Sequence, residues 1–509
     1  MTGTRPTYEL NSVAVHLAML MTGKVILFSG DHDHIWDWTK GESSIWDPNV
    51  PTSINDPVLD RNLFCSGHCQ LADGRLLVAG GQSTFNHPLT IIFSAIPIIP
   101  LVLKLGGKGA ADHDIHTFDP STQTWTYHDK MPRARWYPTC VTLPDGKALI
   151  VSGTHSHAGH SLFGGFINLN YEIFDPTANT LTAPEKFIDK IDMYPFLQVL
   201  PGGKLFVHSE NETHFWDIDS KTMMPGIQFH NKTEGTRTYP GMGSCVLLPL
   251  DPASERARIL IVGGSTKLKP DNNTNATNVA EIFTADLSDP ASSPGWERVP
   301  TNPLARFLCD SVLLPDGKVL VTNGARMGLA DDNKEEVMEI ELFNPSDNSW
   351  TVVGRLEKPR LYHSTALLLP DGRVLIAGST GHSWIRAAFS PQRHFEHNIE
   401  IFSPPYLNGS PVRPQAADVP SSISYNTNFD VASKDADNID MVSLVRLSST
   451  THNNNMDQRC LMLPINSQGS NKLSVSGPKD ATWAPPGYYM LFVVDNNGVP
   501  SEGVFVKIG

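Results

Sequence analysis

One short hairpin recurs along this chain, and that repetition limits the fold more than any other feature. An apolar strand enters a tight turn of the type P-D-G-K/R and leaves as a second apolar strand ending at glycine. The copies are M-T-G-K at 21–24, A-D-G-R at 72–75, P-D-G-K at 144–147, P-G-G-K at 201–204, P-D-G-K at 315–318 and P-D-G-R at 370–373. Their glycines, Gly23, Gly74, Gly146, Gly203, Gly317 and Gly372, are 51, 72, 57, 114 and 55 residues apart. The step of 114 is twice 57, so one copy has lost its turn signal; it lies at 243–264, where the longer loop DPASERAR replaces D-G. Seven copies result. In each, D-G is expected to supply the positive-φ residue of a two-residue hairpin between β-branched strands.

After the hairpin, a third strand ends in TFDP, IFDP, ELFNP or IFSP at matching offsets, and a fourth follows around Trp. A unit of roughly 50 residues with four short strands is the kelch form of a propeller blade. The expected fold is therefore all-β, with a seven-bladed kelch-type β-propeller over residues 1–410. At 411–415 (PVRPQ) the repeat stops. The remainder alternates through SLVRLSS, YYMLFVVD and GVFVKIG, which reads as an immunoglobulin-like β-sandwich over 411–509. A chain of 509 residues is long enough for two such units.

Composition narrows the partners. The net charge is −14 with no Lys/Arg stripe, which argues against nucleic acid because phosphate binding needs a basic footprint. The six cysteines (Cys65, Cys69, Cys140, Cys245, Cys309, Cys460) are too sparse for a disulfide scaffold, and no C-x-x-C pair points to structural zinc. The most apolar run, IIFSAIPIIPLVLKL at 91–105, is too short to span a bilayer and is interrupted by Pro97 and Pro100. It is expected to pack on its own protein, the alternative being a hydrophobic contact patch, and no membrane span is expected. Residues 1–10 show no basic region followed by an apolar core, so no signal peptide is visible.

Candidate chemistry sits where blades begin. Tyr362-His363 opens the last blade in R-L-Y-H-S, Trp136-Tyr137 the third in A-R-W-Y-P, and Cys65 the second in N-L-F-C-S-G. Equivalent positions converge on the propeller axis, so side chains 72 and 225 residues apart can meet. Two phenolates and an imidazole are O and N donors suited to tetragonal Cu(II). Taken alone, the histidine of a Tyr-His pair is more often a hydrogen-bonded structural residue than a metal ligand. A further candidate is His452, on the polar loop SSTTHNNNMDQR. His32 and His34 in DHDH, and His155, His157 and His160 in THSHAGH, have ligand-like spacing. Short His-rich loops are usually solvated, and these are not assigned to a metal.

Taken together, the motifs resemble those of the galactose oxidase/glyoxal oxidase family of mononuclear copper-radical oxidases. F-C-x-G (64–67), R-x-Y (135–137), Y-H-S (362–364), and T-H (451–452) followed by D-Q-R (457–459) stand in family order, and PGYYMLFV (486–493) is similar to the family's C-terminal strand. The resemblance implies one copper per chain, held by Tyr137, Tyr362, His363 and His452, with His452 on a loop threading the channel. It also implies a Cys65–Tyr137 thioether acting as a one-electron cofactor. The implied reaction oxidises a primary alcohol or hydrated aldehyde with O2, releasing H2O2, and Tyr362 takes the hydroxyl proton. A secreted or extracytoplasmic location is implied if a leader has been removed.

Two departures bear on substrate. The family's galactose oxidases carry an N-terminal carbohydrate-binding domain, whereas this sequence starts directly in the propeller. A family Trp often stacks on the cross-linked Tyr; 18 residues after Tyr137 this chain has His155. Either that imidazole stands beside the radical as part of the catalytic site, or it caps a loop and another aromatic residue gives the shield. RTYP at 237–240 and NIEIFSPPYL at 398–407 look closer to the glyoxal oxidase side. The rival reading is a non-catalytic kelch propeller that binds a partner through its blade loops, with no special need for Cys65.

Overall fold

The second strand of each repeat is apolar on both faces, which suits a strand sandwiched between neighbouring sheets better than one facing water. Leu76–Ala79, Val319–Thr322 and Val374–Gly378 are buried at every position. The computed structural model describes residues 7–30, 41–81, 112–155, 167–233, 235–330, 332–380 and 395–509. The apolar run at 91–105 and His32, His34, His157 and His160 lie outside these residues.

Among the described residues no α-helix occurs, and the strands up to Phe402 form seven four-stranded units. Their innermost strands are His16–Met19, Gly67–Gln70, the C-terminal part of Thr124–Thr142, Phe196–Leu200, Ser244–Leu247, Asp310–Leu313 and Ser364–Leu368. The copy without a turn signal is real: Ser244–Leu247 pairs with Arg256–Val262 across the longer loop. Thr124–Thr142 serves two blades, pairing with Asp112–Asp119 at one end and Ala148–Thr154 at the other. The seventh blade takes its outermost strand, Thr7–Glu9, from the opposite end of the chain, beside Asn398–Phe402. That pairing closes the ring with backbone hydrogen bonds.

The turns differ from expectation in one respect. Each D-G loop has three residues, not two: Gly74 N–H donates to Leu71 O, and Leu71 N–H to Arg75 O, a pattern repeated at 143–147, 314–318 and 369–373. Only the glycine has positive φ (93° at Gly74), which is a type I turn closed by a glycine bulge. The aspartate decides this. Asp73 Oδ1 accepts the Arg75 N–H at 3.0 Å, as Asp371 Oδ1 does for Arg373 at 2.9 Å, so the carboxylate holds the bulge closed.

Among the described residues, four blades carry a buried Arg–Glu staple: Arg135–Glu172, Arg237–Glu281, Arg306–Glu341 and Arg360–Glu400. Each arginine lies just ahead of an inner strand, each glutamate on the third strand of the same blade. The guanidinium fork also donates to carbonyls between them; Arg360, for example, reaches Gly378 O and Asn398 O, both at 3.0 Å. A buried charge is costly unless it is paired, so the glutamate and carbonyl partners of each guanidinium tie down the segment that follows the arginine. Two of those segments carry Tyr137 and Tyr362-His363.

The C-terminal region folds as two facing sheets. One holds Ser422–Ile423, Val504–Ile508, Gly487–Asp495, Ile439–Arg446 and Cys460–Leu463; the other holds Asn428–Ala432, Lys472–Ser476 and Ile465–Gly469. Between Ile439–Arg446 and Cys460–Leu463 the chain leaves the sandwich as a hairpin, Ser449–Thr451 with Asn454–Asn455. This hairpin pairs with His16–Met19 (His16 opposite Thr451) and so lies against the innermost strand of the first blade.

Candidate active site

Where an inner strand begins, the backbone repeatedly turns left-handed and aims a side chain inward. Cys65, Tyr137, Tyr194, Leu308 and His363 have φ of 65°, 65°, 47°, 59° and 65°. Such conformations in non-glycine residues cost about 1–3 kcal/mol each and persist only where neighbours over-determine them. Here the neighbours form a ladder between blades: Tyr137 N–H donates to Cys65 O and Tyr194 N–H to Tyr137 O, both at 3.0 Å, and Leu308 N–H to Met242 O at 2.6 Å. The Cys65 N–H is taken by His16 Nε2 at 3.1 Å.

Five of the residues singled out from the sequence meet at this rim. Cys65, Tyr137, Tyr362, His363 and His452 are each no more than 2% exposed. One donor atom from each of Cys65, His363 and His452 lies within 4.8 Å of the others. The Tyr137 and Tyr362 hydroxyls are hydrogen-bonded to each other. The His452 ring centre is 4.6 Å from that of Tyr137, 5.5 Å from Tyr362 and 4.6 Å from His363. Burial, followed by the nearby His363, His16 and His68, holds His452 well below the ordinary imidazole pKa, so it is a neutral ligand-type nitrogen. Two imidazoles and two phenols converging in a buried cluster, with a thiol at hand, match the N,O donor preference of Cu(II).

His452 stays in place because its hairpin is tied to several blades at once. Asp457 Oδ2 accepts the Gln70 N–H at 2.5 Å, Gln458 bonds Leu313 N–H at 2.6 Å and Ser311 O at 3.0 Å, and Arg459 reaches Val199 O. These contacts engage the second, sixth and fourth blades. Near the tip, buried Asp310 receives Ser364 Oγ at 3.1 Å and Asn453 Nδ2 at 3.4 Å, and so links the residues that follow His363 and His452. Burial pushes the Asp310 carboxyl up to about 7.

His155 stands apart from this group, with Nδ1 on the Ala134 carbonyl oxygen at 3.1 Å. The ring stacked on Tyr137 is that of Trp136, centroids 3.6 Å apart and planes within 16°. Tyr194 stacks on Tyr137 at 4.5 Å and 26°. Two rings cannot overlay one phenol so closely from the same side, so Tyr137 is sandwiched. Tyr194 escaped the sequence reading although a signal exists: it sits in a Tyr-Pro pair 57 residues after Tyr137-Pro138, the same step as from Gly146 to Gly203.

Comparison with known proteins shows the family of the chain. Residues 100–406 match the Glyoxal oxidase N-terminus family. The chain belongs to the glyoxal oxidase family. Residues 413–508 of this family member match the galactose oxidase-like Early set domain. An aldehyde oxidase of Arabidopsis thaliana is 29% identical over 520 residues, covering 93% of this chain and 77% of that protein. A galactose oxidase of Gibberella zeae is 27% identical over 528 residues, covering 99% and 70%. Among solved structures, a fungal alcohol oxidase of the AA5 family in complex with copper superposes with a TM-score of 0.76 at 23% identity, covering 99% of both chains. No helix of the described residues is long and apolar enough to cross a membrane.

Proposed function

We propose that this chain is a copper-radical oxidase that converts a primary alcohol or hydrated aldehyde, with O2, into the aldehyde or carboxylic acid and H2O2. The observation that carries the reading is the convergence of Cys65, Tyr137, Tyr362, His363 and His452, drawn from three blades and the C-terminal hairpin, into one buried cluster. Tyr137, Tyr362, His363 and His452 would hold one copper ion, and Cys65 would be joined to Tyr137 by a thioether. We further assign residues 1–410 to the propeller and 411–509 to the sandwich that contributes His452. When bound, copper would supply Lewis acidity toward the substrate oxygen and accept one electron.

The remaining roles belong to the chain itself. Tyr362, its hydroxyl already hydrogen-bonded to Tyr137, is placed to take the substrate hydroxyl proton. Tyr137, joined to Cys65, is placed to take the carbon-bound hydrogen atom. Trp136 and Tyr194 cover its faces, keep water away from the oxidised ring and leave only its edge for chemistry. Small alcohols and aldehydes are the expected class, consistent with the names of the relatives. The test is peroxide release by copper-loaded protein against a panel of primary alcohols, sugars and aldehydes. Turnover of at least one class, lost in Tyr362→Phe, is expected. Silence across the panel in protein shown to hold copper would favour a binding role instead.

A further inference from the structure

The two histidines of the cluster share a device that the motifs do not announce. His452 Nδ1 lies 2.6 Å from the hydroxyl of Thr451, its chain neighbour. That hydroxyl also points at the backbone carbonyl of Val15, 2.9 Å away, on the approach to the first blade's inner strand. A carbonyl only accepts, so the single hydroxyl proton of Thr451 is committed to Val15 O. The contact to His452 is then satisfied only if Nδ1–H donates to Thr451 Oγ1. His363 has a looser version with different residues: its Nδ1 is 2.9 Å from Thr380 Oγ1, which faces the Tyr362 carbonyl at 3.4 Å, a carbonyl that also accepts the Thr380 N–H at 2.9 Å. For His452 the proton therefore belongs on Nδ1 and Nε2 keeps its lone pair; the contact of Thr380 with the Tyr362 carbonyl favours the same tautomer for His363. His452 Nε2 is the atom that faces Cys65 Sγ, at 3.7 Å.

We propose that Thr451 and Thr380 are positioning residues that fix His452 and His363 in the Nδ1–H tautomer, so that each imidazole presents an unprotonated Nε2 to the metal. The proposal rests on the copper reading for its purpose, but the tautomer itself is a property of the metal-free chain. Thr451 has the stronger hold, because its proton is committed over 2.9 Å against 3.4 Å for Thr380. Orienting partners of this kind typically change metal affinity by about 10- to 100-fold.

The experiment uses the full chain with Thr451→Val, Thr451→Ser, Thr380→Val and Thr380→Ser. Valine keeps the shape and removes the acceptor; serine restores the hydroxyl. Cu(II) affinity is measured by chelator competition, and the tautomers of the metal-free protein by 15N NMR of labelled histidine, assigned by loss of signals in His452→Gln and His363→Gln. The expected result is Nδ1–H signals for both rings, a fall in affinity of about 10- to 100-fold in Thr451→Val with a smaller fall in Thr380→Val, and recovery in the serine variants. Nε2–H signals in the metal-free parent, unchanged affinity in both valine variants, or equal losses in valine and serine would each overturn the proposal. A parent with Nδ1–H rings that takes up no Cu(II) would instead refute the copper reading and leave the tautomer assignment standing.

Discussion

Removing the guanidinium of Arg135 tests how the fold delivers Tyr137. Arg135 and Glu172 are both fully buried, and the fork also donates to Ser152 O at 2.5 Å and Asn170 O at 3.1 Å. Arg135→Met keeps most of the side-chain volume but strands a buried carboxylate and two carbonyl oxygens. Breaking one partner of a buried pair costs about 3–5 kcal/mol. At roughly 2.1 cal/mol/K per residue, 509 residues unfolding together give about 1 kcal/mol/K, so the melting temperature should fall by roughly 3–5 °C. The double variant Arg135→Met/Glu172→Leu removes the orphaned charge and should recover most of that loss. Differential scanning calorimetry of parent, both single variants and the double variant completes the cycle. A melting temperature unchanged in Arg135→Met, or a double variant as unstable as the two singles added, would refute the staple.

Three further outcomes follow from the same geometry. Replacing His363 or His452 with Ala should weaken Cu(II) binding steeply, whereas Tyr362→Phe should keep copper and lose turnover; equilibrium dialysis and a peroxide assay separate the two. Trp136→Leu should shorten the life of the oxidised Tyr137 several-fold while His155→Ala leaves it unchanged, as read by the decay of the radical absorption. The third concerns pH. Burial raises the Asp310 carboxyl from 3.8 to about 7, so the folded chain holds a proton that the unfolded chain has released, and this residue's contribution to stability declines as pH rises from about 4 to 7. Asp310→Asn removes that dependence and should gain stability over the parent at pH 8 but not at pH 4, by on the order of 4 kcal/mol at most. Equal differences at both pH values would count against a buried, protonated carboxyl.

What the sequence revealed, and what it hid, divides along physical lines. Six of the seven blades were readable because their tight reversals place a glycine where positive φ is needed. The missing seventh turn was recoverable from spacing alone. The loop length was misjudged because D-G serves two turn types, and the Asp73-type carboxylate contact that selects the bulge depends on the folded backbone. Cys65, Tyr137, Tyr362, His363 and His452 stood out because their residue types break the repeat. Trp136 carries no signal of its own in the sequence, where the fixed offset points to His155; which ring lies over Tyr137 depends on the path of the chain beyond the strand. The closing strand Thr7–Glu9 is too short to carry a pattern. The carbonyl partner of Thr451, Val15, lies 436 residues away, and Asn453 lies 143 residues from Asp310; no local feature points to either contact.

The cluster's central claim is that Cys65 and Tyr137 are made to react with each other. Joining sulfur to the phenol ring removes one hydrogen from each residue, with O2 as the oxidant. Intact-mass spectrometry of protein prepared without copper, then loaded with Cu(II) in air, reads this directly. The account predicts a product lighter by two hydrogens and, after digestion, one branched peptide carrying Cys65 and Tyr137; Cys65→Ser should show neither. A free Cys65 thiol in fully loaded, aerated protein would contradict it.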